Sequence, residues 1–223
     1  MHLSKIFIPF QKPKDIYKIH QELLKSLNSQ QQRYLYRVEQ YKAGYGAEIL
    51  MQSITEPQTT ASAKILATRD YTFTLTENQQ LRFLLVANPV KTIRDENGRK
   101  HLDKDGNIRL NKKTGKQVIK PCRVPLLDEL EQMHWLKNKE IKIGEAENDK
   151  IKLHDVVYIN ELIVNPSIPL YFHKKETGGG KIVPVTFEGV LTVQKPNELQ
   201  KIIKQGIGSA KAFGCGLLSI AKI

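Results

Sequence analysis

The chain has 223 residues and a formal net charge of +12, from 35 Lys and Arg against 23 Asp and Glu. Its 40% apolar and 26% charged content is that of a globular protein, which excludes a disordered or fibrous chain. No stretch approaches the ~20 apolar residues of a membrane helix, no small-residue cleavage site follows MHLSKIFIPFQKPK, and Cys122 and Cys215 are too few for a disulfide framework, so a cytoplasmic protein with reduced thiols is expected.

His2 to Phe10 alternates through Leu3, Ile6, Ile8 and Phe10 and predicts a strand. Pro13 then leads into a helix over Lys14 to Leu27, whose Ile16, Ile19, Leu23 and Leu27 form one face. Strands are expected at Arg33–Glu39 and Glu48–Thr55, with Gly44 and Gly46 in the turn, and at Tyr71–Leu75 and Leu81–Ala87. The turn-rich stretch 94–116 follows, read as a loop or ribbon and a candidate linker. A second set comprises a helix at Pro125–Lys137, strands at Lys152–Val164, Leu170–His173 and Ile182–Val193, a short helix at Asn197–Lys204 with Asn197 as N-cap, and a strand at Leu217–Lys222. Gly178 to Gly180 reads as a hairpin tip.

The repeated order of strand, helix and strands predicts an α+β chain of two tandem ferredoxin-like (RRM-like) domains. The division runs 1–90, a basic insert at 91–120, and 121–223.

The charge implies a polyanionic partner, nucleic acid before membrane, because no amphipathic helix combines basic flanks with an aromatic face. Residues 91–125 hold eleven Lys or Arg against four acids, +7 in all. A solvated loop would carry the same excess.

GIGSAKAFGCGLL is the densest glycine signal. It is not a dinucleotide fingerprint: Lys211 stands where the third glycine belongs, and the motif follows a helix instead of a strand. The segment reads either as a loop passing close to other backbone or phosphate, or as tight turns.

The six histidines show no ligand spacing and no carboxylate cluster suits a two-metal nuclease, so neither metal nor cofactor is expected. RNA permits metal-free cleavage, since its 2′-OH can attack the adjacent phosphate once a side chain takes the proton. His20 is the leading candidate for that proton transfer. Tyr17, three residues earlier, neighbours it on the helix surface, and Lys25 projects beyond Tyr17. The same residues also fit the polar edge of an ordinary amphipathic helix.

Four passages, DIYKIHQELLKSL, LRFLLVANPVKT, VTFEGVLTV and GIGSAKAFGCGLLSIAKI, resemble the CasE family of CRISPR-associated endoribonucleases, which process precursor CRISPR RNA in the type I-E system. The resemblance spans nearly the whole chain. It implies tandem ferredoxin-like domains, metal-independent cleavage of a repeat stem-loop, and membership of a multi-protein surveillance complex. It carries the family's Tyr-x-x-His pair onto Tyr17 and His20 and its lysine onto Lys25. The family's glycine-rich loop falls on Gly206, Gly208, Lys211, Gly214 and Gly216. Its RNA-binding basic hairpin falls on FHKKETGGGK, with Lys174, Lys175 and Lys181. The hairpin has lysines where arginines are frequent, and Ser209 stands where a basic residue is common. A non-catalytic guide-RNA-binding subunit is the alternative.

Overall fold

The computed structural model describes residues 1–9, 16–28, 33–42, 44–94, 101–103, 105–144, 146, 149–174 and 178–223. The start of the predicted first helix and Lys175 lie outside these residues.

The first sheet uses β1 (His2–Pro9), β2 (Tyr34–Lys42), β3 (Gly46–Ser53) and β4 (Lys64–Asp70), in the order β2-β3-β1-β4. Every pairing is antiparallel. Helix α1 (Ile16–Ser26) connects β1 to β2 across one face. Alternation places Ile6 and Ile8 of β1 and Ile49 and Met51 of β3 in one fully buried cluster with Ile19 and Leu23 of α1. Burial of each such side chain is worth roughly 1.5–3 kcal/mol. This is what holds α1, and with it Tyr17 and His20, on the sheet.

The second sheet opens with β5 (Gln80–Ala87). β6 (Val90–Ile93) and β7 (Cys122–Pro125) then pair as a ribbon, followed by α2 (Glu129–Lys137), the hairpin β8 (Glu140–Lys142) and β9 (Lys150–Lys152), and β10 (Val157–Pro166). β11 (Leu170–Lys174) and β12 (Gly178–Ile182) form a projecting hairpin before β13 (Val185–Val193), α3 (Pro196–Gln205) and β14 (Leu218–Lys222). The sheet order is β10-β13-β5-β14, again antiparallel. Strands β5, β10, β13 and β14 with α2 and α3 thus repeat the first unit's plan. In the first unit residues 54–63 stand in place of a second helix. The chain is α+β, two ferredoxin-like units in tandem.

Several expectations shift. The expected boundary at 90 puts Leu81–Ala87 in the N-terminal domain, but β5 is a central strand of the second sheet. The basic segment 91–120 is therefore an excursion inside the second unit, closed at its base by β6 and β7. The expected strand at Tyr71–Leu75 is an unpaired connection; the fourth strand of the first sheet is Lys64–Asp70. Tyr71, Phe73 and Leu75 alternate because they pack on the second core without a ladder partner. Gly178 to Gly180 are not the hairpin tip but paired strand opposite Lys174, His173 and Phe172. In α3 the N-cap is Lys195, and Pro196 takes the first turn, where its missing N–H costs nothing.

The units meet across the face of the first sheet that α1 leaves open. Gln52 Nε2 donates to Ile203 O at 3.0 Å, and Arg37 Nη1 to Ser219 Oγ at 3.0 Å. Buried Arg37 is also paired with Glu39 at 2.6 Å, which compensates its charge.

Candidate active site

The glycine-rich segment following α3 folds round β2, the edge strand of the first sheet. Leu35 and Tyr36 point to opposite faces of that strand, and the loop touches both: a Cβ on Gly206 would lie 2.7 Å from Leu35 Cδ1, and one on Gly214 3.3 Å from Tyr36 Cε2. Tyr36 Oη donates to Ala212 O at 2.9 Å, pinning the loop from the other unit. Gly206 itself has φ 73° and ψ 158°, a region essentially restricted to glycine. Close approach of backbone to β2 is therefore one reason for the glycines. Gly206→Ala is expected to lower the melting temperature by roughly 5–10 °C. The backbone alone costs about 1–3 kcal/mol, overlap with Leu35 and Gly216 O adds to it, and each kcal/mol moves a protein of this size by ~2–4 °C. A thermal melt checks this; an unchanged midpoint would mean the loop adapts freely.

Held this way, the loop presents Phe213 to α1. Phe213 lies 6.0 Å from the Tyr17 ring and 4.4 Å from Phe172 on β11. Tyr17 lies 5.9 Å from His20, His20 stacks on Tyr34 at 5.6 Å, and Tyr34 on Tyr36 at 6.3 Å. One chain of rings thus runs from Phe172, midway along β11, through the glycine loop and α1, to β2. His20 sits inside it, half-buried, with Nδ1 2.5 Å from Tyr34 Oη. Burial, aided by nearby Tyr17, pushes the Tyr34 phenol well above its ordinary range, so it remains a neutral hydroxyl.

A groove of about 800 Å³ opens beside the loop, lined by Arg33, Lys139, Lys142, Gly208, Ser209 and Lys211. Burial, then the charge of Arg33, lowers the Lys211 ammonium, and Lys211 Nζ donates to Gln205 O at 2.5 Å. Burial first and Arg123 second lower Lys139. Cations crowded and partly desolvated in this way gain most when an anion arrives.

The family described as CRISPR associated protein matches residues 1–222. The CRISPR system Cascade subunit CasE of Escherichia coli (strain K12) is 38% identical over 226 residues, covering 100% of both chains. The chain belongs to the CasE family. CRISPR-associated endoribonuclease Cse3 of Thermus thermophilus is 27% identical, covering 92% of this chain and 89% of its own. The crystal structure of Cas6e from Escherichia coli K-12 superposes with a TM-score of 0.76 at 36% identity over the full length of both.

Of the residues that the CasE resemblance singled out, Tyr17 and His20 come together with the loop of Gly206, Lys211, Gly214 and Gly216. Gly208 faces Trp135. Lys25 does not join them: at 500° of helical rotation it stands some 140° round α1 from His20. Its Nζ lies 3.2 Å from Glu22, which also accepts from Ser62 Oγ. On the hairpin, Lys181 lies opposite Tyr171 with Nζ 5.9 Å from that ring, and Lys174 pairs with Gly178 through the backbone. The sequence reading passed over Arg33, Tyr34, Lys139, Phe172 and Phe213. Tyr34 and Tyr36 fall two apart within the expected strand Arg33–Glu39, but nothing local says that their face meets α1.

Proposed function

We propose that this CasE-family chain is a metal-independent endoribonuclease that binds the repeat stem-loop of precursor CRISPR RNA and cleaves at its 3′ base. The observation that carries the reading is His20, held between Tyr17 and Tyr34, with Tyr17 against Phe213 of the glycine loop whose Lys211 lines a basic groove. The name of the Thermus relative, an endoribonuclease, supports the same class of chemistry. His20 takes the proton of the 2′-OH, and O2′ forms a bond to phosphorus. The P–O5′ bond then breaks with its electron pair on O5′, which takes a proton from water, and the His20 imidazolium returns its proton to solvent. The products are a 2′,3′-cyclic phosphate and a 5′-OH. Tyr17 lines the approach and orients the phosphate. Electrostatic stabilisation of the phosphorane falls to the cations at the loop, Lys211 and Arg33, since Lys25 would first have to leave Glu22.

The basic hairpin of Lys174, Lys175 and Lys181 tracks the stem, whose A-form helix is read through shape and phosphates. The Escherichia coli relative is named as a subunit of Cascade, which supports retention of the cleaved RNA within a surveillance complex in the cytoplasm. Nothing in this chemistry calls for a cofactor. Labelled repeat RNA incubated with the protein in EDTA is expected to yield one 5′ fragment ending in a cyclic phosphate and one 3′ fragment bearing a 5′-OH. Cleavage that appears only after a divalent metal is added would overturn the mechanism.

A further inference from the structure

Tyr34 Oη makes two contacts on α1: His20 Nδ1 at 2.5 Å and His20 O at 3.0 Å. A phenol carries one proton and can also accept; a main-chain carbonyl can only accept. The Tyr34 proton therefore goes to His20 O. The contact with Nδ1 is then a hydrogen bond only if Nδ1 bears a proton and donates it to Oη. The reverse arrangement, with the phenol donating to Nδ1, would leave the tyrosine and carbonyl oxygens facing each other at 3.0 Å with no proton between them.

We infer that Tyr34 is a positioning residue that holds the neutral His20 ring in its Nδ1–H form, so that Nε2 is the unprotonated nitrogen and His20 enters the reaction as general base. The inference rests on the catalytic reading of His20 and resolves the direction in which its proton moves. The tautomer of an imidazole is set by the partner of its other nitrogen. Here that partner is a half-buried phenol, kept neutral by desolvation first and by Tyr17 second. Its oxygen accepts from neutral Nδ1–H and, more strongly, from the imidazolium formed once Nε2 takes the 2′-OH proton. No group has to turn as the charge develops. The stacked ring, 22° from parallel to the imidazole, fixes the plane in which Nε2 points.

The test is nitrogen-15 NMR of histidine-labelled protein, with His20 identified by the signal lost in His20→Ala. In the neutral ring of the wild type, Nδ1 is expected to resonate as a protonated nitrogen and Nε2 as a bare one. Tyr34→Phe keeps the ring and its stacking but removes the hydroxyl. It is expected to restore the Nε2–H form that a free histidine side chain favours in water, and to slow single-turnover cleavage about tenfold at unchanged RNA affinity, the effect of losing one hydrogen bond. A wild-type ring protonated on Nε2, or a Tyr34→Phe variant with unaltered tautomer and rate, would overturn the assignment to Tyr34. Full activity in His20→Ala would instead overturn the catalytic reading, whatever the tautomer.

Discussion

His20→Ala is expected to slow cleavage of the repeat stem-loop by at least two orders of magnitude under single-turnover conditions, with the dissociation constant for the RNA nearly unchanged. A positioned general base contributes about 10²–10⁴-fold, and alanine removes all of it. Binding, by contrast, is dominated by phosphate neutralisation, to which one imidazole adds little in a chain of net charge +12. The variant should fold. His20 is half-buried at the edge of α1, whereas the helix is anchored by Ile19 and Leu23, which are 1% and 0% exposed. Circular dichroism separates the loss of a base from the loss of the helix. Wild-type cleavage by a folded His20→Ala would mean that the ring chain round α1 serves packing alone.

How far the site could be read from the sequence depends on how local its geometry is. Tyr17 and His20 are three residues apart on one helix, so their adjacency follows from 100° per residue and the apolar face behind them. The same arithmetic separates His20 from Lys25, and the ion pair with Glu22 follows that separation. Tyr34 is fourteen residues from His20, and its role depends on which face of β2 meets α1, which only the assembled sheet decides. The glycines of 206–216 were visible, but not that they let the loop close on Leu35 and Tyr36 of the other unit.

Among the strands, β1 announced itself by alternation. β4 did not, because it is an edge strand with little of its surface buried. The alternation of Tyr71, Phe73 and Leu75 misled, because apolar burial without a pairing partner looks the same in sequence. Membership of β5 in the second sheet was hidden for a related reason: partners β13 and β14 lie about a hundred residues or more downstream.

The pairing of Lys25 with Glu22 and the crowding of Lys211 beside Arg33 bear on where the proposed reaction draws its charge compensation. On the reading proposed above, charge compensation comes from the second unit's loop and from the approach to β2, not from the helix that carries His20. On that reading, cleavage is expected to require both ferredoxin-like units in contact. The buried Arg37 link to Ser219 and the Gln52 link to Ile203 tie the two units together.

The most direct test of the mechanism alters the substrate and leaves the protein intact. In a repeat stem-loop with a single 2′-deoxynucleotide immediately 5′ of the scissile bond, the nucleophile is gone while the stem, its phosphates and the groove contacts remain. Internal attack predicts that this RNA binds with unchanged affinity and is not cleaved at all, whereas a deoxy substitution one position away on either side leaves the rate within a few-fold. Cleavage of the first substrate at a rate comparable to the all-ribose RNA would mean that water, not the 2′-OH, attacks phosphorus, and would contradict the role given to His20.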